Sequence, residues 1–129
     1  MTAALSDYLK LKLLDHSLGH ASFTMPATPY IALYTTDPTA ADVGVEVTGG
    51  GYARQPLVTG AAAAGQSSNS TSVSFLPMPT TAITHVGIRT AATGAPGYLL
   101  WYAPLTVPKA TTSGDTLTID IGSLVFTLA

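Results

Sequence analysis

The chain has 129 residues, with 5 Lys+Arg against 7 Asp+Glu and a net charge of −2, so charged residues make up 9% of it where about 25% is usual. So few cations argue against nucleic-acid binding, which needs Lys and Arg to displace counterions from phosphates. A hydrophobic fraction of 47% argues against disorder, and no apolar run approaches the roughly 20 residues of a membrane-spanning helix.

Residues 1–20 carry the helical pattern. Leu5, Leu9 and Leu13 recur at i, i+4 and i+8, with Tyr8 and Leu18 nearby, predicting a helix from about Ala3 to Leu18. Ser6 or Thr2 is the expected N-cap, Asp7 suits the first turn, and Gly19 suits the position after the last. Leu11 and Leu14 widen the stripe, which predicts packing against more than one surface. The N-terminal residues lack the basic and apolar regions of a signal peptide, so synthesis in a cytoplasm is expected.

From residue 25 the pattern becomes strands and turns. Tyr30–Thr35 alternates, with Ile31 and Leu33 on one face and Tyr30 and Tyr34 on the other. Thr36-Asp-Pro-Thr39 reads as a turn, and residues 40–51 as a long loop ending in Gly49-Gly50-Gly51. Tyr52–Val58 reads as a strand that Pro56 demotes to an edge. Residues 60–70 are a small-residue loop or a lightly packed hairpin connection. Thr71–Phe75 alternates and is expected to end at Pro77 and Pro79. Ile83–Arg89 is a strand with a bulge expected at Gly87, and Thr90–Gly97 a turn region. Gly97–Tyr102 is the most apolar strand, Pro104 and Pro108 bracket a connector, and Asp115–Ile121 places Leu117, Ile119 and Ile121 inward. Leu124–Leu128 closes the chain. About seven strands behind one helix, without strand–helix alternation, predict a single mainly β domain over residues 1–129. It is an antiparallel β-sandwich or barrel-like domain with one N-terminal α-helix (1–20) on or beside the β part (25–129).

With no Cys and only twelve charged residues, solubility rests on 20 Thr, 10 Ser and 12 Gly. Such a surface is easily desolvated, which predicts packing against copies of itself or a partner. The residues that could carry chemistry do not assemble into a motif. His16 and His20 are four apart, but no Glu follows His16 and Gly19 breaks the helix, so they read as a polar helix end. His85 lacks a nucleophile elbow and reads as a packed strand residue. Asp37, Asp42 and Glu46 share a loop whose spacing fits no EF-hand. Gly49–Gly51 lack the Lys and Ser/Thr of a phosphate loop, and read as glycines that let the chain approach another backbone. The expectation is therefore no enzyme, no cofactor and no metal site.

Three segments carry a resemblance: Leu5-Ser-Asp-Tyr-Leu9, Ala27-Thr-Pro-Tyr-Ile-Ala-Leu-Tyr-Thr-Thr-Asp-Pro-Thr39 and Glu46-Val-Thr-Gly-Gly-Gly-Tyr-Ala-Arg-Gln55. With Ile83-Thr-His-Val-Gly-Ile88, the Ala92-Thr-Gly94 turn, Pro108-Lys109 and Ser113-Gly-Asp115, the chain resembles a family of small tailed-bacteriophage virion proteins usually labelled tail fibre or minor tail proteins. The resemblance implies a structural protein of the tail, located in the virion, with other virion proteins as partners and no catalytic residue to carry over. The chain lacks the long repeats of a trimeric shaft and suits a tip, collar or decoration module. A capsid decoration protein is the alternative reading. A host-receptor or glycan-binding module using Tyr30, Tyr34, Tyr52 and Tyr102 is the second.

The expected partners thus include copies of the chain, in a trimer or higher ring, and a host surface receptor under the second alternative, but neither nucleic acid nor membrane. The residues expected to serve packing and assembly are Leu5, Leu9, Leu13, Glu46, Gly49, Gly50, Gly51, Tyr52 and Arg54. Arg54 is expected to pair with Glu46 or Asp37, or with the carbonyls of an adjoining chain, and Arg89 to sit in a less specific context.

Overall fold

The computed structural model describes residues 1–25, 28–93 and 97–128. Ala27 of the family-like segment, and Gly94 with the rest of the 90–97 turn's centre, lie outside the described residues. Nine strands and one helix follow one another: β1 (Thr2–Leu5), α1 (Asp7–Ser17), β2 (Tyr30–Tyr34), β3 (Gln55–Pro56), β4 (Gln66–Ser68), β5 (Val73–Met78), β6 (Thr81–Arg89), β7 (Leu99–Thr111), β8 (Asp115–Ile119) and β9 (Val125–Thr127). The mainly β class with a single helix is as predicted.

Seven strands form one sheet in the order β3-β2-β6-β7-β1-β9-β4, and β5 and β8 pair as a separate ribbon. All pairs are antiparallel except β1 with β9, which is parallel. The sheet curls until its two ends approach. Leaving β3, the chain first keeps to β2, with Leu57 N–H donating to Pro29 C=O at 2.9 Å. It then runs beside β4, where Ser70 N–H donates to Val58 C=O at 2.9 Å and Ala63 bridges to Gln66. The segment from β3 to Ala63 thereby links the two sheet ends and covers what would otherwise be free edges.

The two faces have different loads. Ile31, Leu33, Val86, Ile88, Leu100, Ala103, Ala3 and Phe126 point inward and form the main core, to which the ribbon adds Val73, Phe75, Met78, Leu117 and Ile119. Ala32, Tyr34 and Leu99 form a smaller cluster on the outer face. Gly87 is required here. A Cβ at that position would lie 2.6 Å from the Tyr34 ring and 2.7 Å from Leu99 Cδ1, so only glycine lets Tyr34 lie flat across β6.

The N-terminus departs from the predicted helix. Residues 2–5 are strand, pairing through Leu5 with Trp101 and through Ala3 with Phe126, and Leu5 is therefore not part of the helical stripe. The helix begins only after Ser6, whose hydroxyl accepts from Leu9 N–H at 3.2 Å and donates to Leu99 C=O at 2.5 Å. Leu9 is buried and Leu13 half-buried, whereas Leu11 and Leu14 are exposed, so within one copy the helix packs on a single surface.

Four further expectations are corrected. Pro77 does not end its strand, because a register shift between Phe75 and Met78 lets β5 resume. Pro104 and Pro108 lie inside β7, which runs continuously to Thr111. The ladder between β7 and β1 ends at the Ala4–Tyr102 pair, so beyond Tyr102 that side of β7 has no ladder partner among the described residues and a missing N–H is tolerated. The irregularities of β6 fall between Ile83 and His85 and between Ile88 and Arg89, not at Gly87. Ile121 is exposed, because Gly122 takes a positive φ of 76° and turns the chain just after β8.

Leu9→Ala removes a side chain sealed between the helix and the sheet and should cost about 2–5 kcal/mol. Leu14→Ala, on the solvent side of the same helix, should stay within about 0.5 kcal/mol. Urea denaturation at low protein concentration compares the two.

Candidate functional site

Residues 35–54 leave β2 and return along its outer edge, where β3 covers only Tyr30 and Ile31. Farther along, other groups take over that edge. Val47 N–H donates to Leu33 C=O at 2.9 Å, Leu33 N–H donates to the Tyr52 hydroxyl at 2.9 Å, and Thr35 N–H donates to Val45 C=O at 2.9 Å. A tyrosine hydroxyl thus stands in for a strand partner, which leaves no orphaned donor on Leu33.

The side chain that holds this edge in place is Glu46. Its Oε2 accepts from the Tyr52 hydroxyl at 2.8 Å and from Arg54 Nε at 2.9 Å, while its Oε1 accepts from Arg54 Nη2 at 2.7 Å. The pair is bidentate and shielded, with side-chain exposures of 9% for Arg54 and 24% for Glu46. Arg54 Nη1 then donates to Ala91 C=O at 2.8 Å, just past β6. Burial alone would raise the Glu46 carboxyl, but hydrogen bonds from Arg54 and Tyr52 outweigh it and hold the group below its ordinary 4.5. The Glu46 contact raises Arg54, and burial pushes the Tyr52 phenol well up.

A second bidentate pair lies beside the first, and the sequence reading missed it. Arg89 Nη1 donates to Asp42 Oδ1 at 2.8 Å and to the Tyr34 hydroxyl at 2.9 Å. Its Nη2 donates to Asp42 Oδ2 at 3.1 Å and to Gly97 C=O at 2.8 Å. Arg89 is therefore as specifically held as Arg54, which corrects the expectation of a less specific context. The only available signal was scarcity, since the chain has just two arginines. Between them they grip the carbonyls of Ala91 and Gly97, on either side of the link from β6 to β7.

The remaining predicted site residues lie around this core. Gly49 and Gly50 have positive φ of 95° and 58°, and Gly51 N–H donates to Pro77 C=O at 2.9 Å. A Cβ on Gly51 would lie 2.4 Å from Pro77 Cδ, so the glycine run lies directly on the Pro77–Pro79 segment of the ribbon. Glu46, Gly49, Gly50, Gly51, Tyr52 and Arg54 are thus brought together, whereas Leu5, Leu9 and Leu13 lie with the N-terminal elements. Asp37 does not join Arg54; its Oδ1 accepts from Thr39 N–H at 2.8 Å and lies 3.7 Å from His85 Nε2. Tyr34 is buried and the Tyr52 hydroxyl is tied to Leu33 and Glu46, so neither forms the exposed sugar platform that the receptor reading required. Every oxygen of Glu46 and Asp42 is engaged by an arginine. The chemistry of this arrangement is that of a brace, holding backbone in place.

Residues 4–127 match the model of the family described as Podophage GP4 fiber I protein gp80. The chain belongs to this family. It is accordingly a structural protein of the phage tail and a component of the virion. None of the curated proteins matches the chain. For this fibre protein the brace is part of the fold's framework.

Arg54→Ala leaves the largely buried Glu46 carboxylate without its partner and should cost about 3 kcal/mol, the low end for a buried pair because Glu46 keeps some contact with water. Arg89→Ala should cost a comparable amount, and thermal melts of the two variants check the equivalence. The Glu46 carboxyl titrates lower in the folded than in the unfolded chain. Its stabilisation is therefore complete above about pH 4.5 and is lost as pH falls through the folded value. The difference in melting temperature between wild type and Glu46→Gln should narrow as pH is lowered from about 6 to about 3.

Proposed function

We propose that this fibre protein is a compact assembly module of the tail, one domain over residues 1–129, that associates with copies of itself and with larger virion subunits. The observation that carries the reading is where the charges are. Both arginines are turned into the fold by Glu46 and Asp42, so the cations left on the surface are Lys10, Lys12 and Lys109. Ordinary monomers keep apart through mixed surface charge, and interface cores are depleted of it. The exposed surface instead includes Val43, Val45, Val58, Leu76, Val107 and Ile121, set among Thr and Ser. Desolvating such a surface costs little, and a trimer or higher ring is the assembly it suits.

The same features serve a subunit held in place by neighbours rather than by repeats of its own, which makes it a tip, a collar or a fibre-attachment unit. Copy number tests the reading as an attachment or tip module of the tail. Quantitative mass spectrometry of purified particles should give at most some dozens of copies per virion, and hundreds of copies would overturn that reading. Sedimentation of the purified chain at micromolar concentration should show species larger than a monomer. Particles lacking the protein should keep filled, intact heads.

A further inference from the structure

Both ends of the curled sheet are covered, but β7 outruns its partner on one side. Ser6 N–H donates to Leu100 C=O at 2.9 Å and Ala4 pairs with Tyr102, so the even-numbered residues of this stretch turn their backbone groups toward β1. Past Tyr102 that flank has no ladder partner among the described residues as far as Thr111. An extended segment laid along it would find a row of main-chain donors and acceptors. The composition of the strand adds to the hazard. The ten residues Leu99–Pro108 carry no charge, and Leu105, Thr106 and Val107 form an apolar, strand-favouring run in which Val107 is 63% exposed.

Three features spoil this flank as a template. The register with β6 is regular from Tyr102 to Pro104, so Pro104 falls where the next outward-facing N–H would stand, and its ring removes that donor. From Pro104 to Lys109 β7 then takes five steps while β6 takes two, from His85 to Ile83, so the strand bulges, and Pro108 removes a second donor inside the bulge. Lys109 ends the bulge with an exposed charge. We infer that Pro104, Pro108 and Lys109 keep this flank from adding a strand of another copy of the chain. Their placement assigns the role. By the same alternation Trp101 and Ala103 supply the backbone groups that face β6, so the ladder within one copy loses nothing at Pro104 and only an added strand meets the gap. The inference concerns a contact that copies are denied, and it stands whether or not they associate through other surfaces.

The test uses the full chain, the double variant Pro104→Thr/Pro108→Thr at two exposed positions, and backbone hydrogen exchange read at residues 105–110. Wild type should exchange there at the same rate at every concentration, because the guarded flank takes no partner. The double variant should associate at a concentration roughly tenfold lower than wild type, since each regained N–H offers a net hydrogen bond. Its association should slow exchange at residues 105–110 and raise thioflavin T fluorescence. Adding Thr106→Lys, also at an exposed position, should reverse both effects, because a new charge restores the guard by other means. Association that survives this addition comes from loosened folding and overturns the inference. Lys109→Thr keeps both prolines and should shift association the same way by a smaller factor, so the test holds even where the double variant does not fold. Unchanged association in the variants that fold overturns the inference. So does slowed exchange at residues 105–110 when wild type is concentrated, since the flank is then in use.

Discussion

The fold depends on how the outer edge of β2 is closed. β2 is central to the core, since it supplies Ile31 and Leu33 to the inner face and Ala32 and Tyr34 to the outer one. Its regular partner on that edge, β3, is only two residues long. An unpaired backbone donor in such a place costs free energy and invites pairing with another chain. The protein closes the gap with a returning loop whose position is fixed by one carboxylate. Glu46 orients the Tyr52 hydroxyl toward Leu33 N–H and clamps Arg54, which in turn reaches Ala91 beyond β6. A charge-assisted, bidentate contact suits this task because it fixes direction as well as distance.

Arg89 repeats the device on the adjacent loop and shows how the two faces of the sheet are coupled. Tyr34 lies across Gly87 on the outer face, and its hydroxyl accepts from Arg89, which also holds Asp42 and Gly97. The loop through Asp42 and the Gly97 carbonyl just before β7 are therefore tied to the same strand pair. Burial lowers the affinity of Arg89 for its proton, but the Asp42 and Tyr34 contacts outweigh that, so the guanidinium stays charged wherever the protein is folded. The glycine run does the corresponding work by shape, since Gly51 lies on Pro77 and brings the loop down onto the ribbon with a backbone hydrogen bond and no side chain.

Much of this was legible in the sequence, and the misses share a cause. Local alternation predicted strands at Tyr30–Thr35, Ile83–Arg89 and Asp115–Ile121, and strands lie there at Tyr30–Tyr34, Thr81–Arg89 and Asp115–Ile119. Ala3–Leu5 was misread because Leu5 falls at helical spacing from Leu9, whereas its backbone is claimed by Trp101, and that of Ala3 by Phe126, residues about a hundred positions away. Pro104 and Pro108 looked like breaks because sequence does not reveal which flank of a strand is unpartnered. Glu46 with Arg54 could be proposed from eight residues of separation and a shortage of other partners. Asp42 with Arg89 spans 47 positions and had no local sign.

The shortage of charge and the placement of the arginines are one physical fact seen at two levels. A chain with five Lys and Arg that commits both arginines to bracing its own loops leaves three lysines on its surface, two of them on α1. Long-range repulsion between copies is then weak, since a net charge of −2 spread over a domain this size is largely screened at physiological salt. What remains to decide orientation is shape and apolar contact, which act only at close range and only where surfaces match. A brace made of charges inside the fold and an uncharged exterior are therefore consistent with each other: the first makes the loops rigid without a large core, and the second leaves a rigid surface free to be desolvated. In a tail protein, whose neighbours are fixed by the particle, rigidity with low electrostatic selectivity is sufficient, because the geometry of the assembly supplies the selectivity that charge supplies for proteins free in solution.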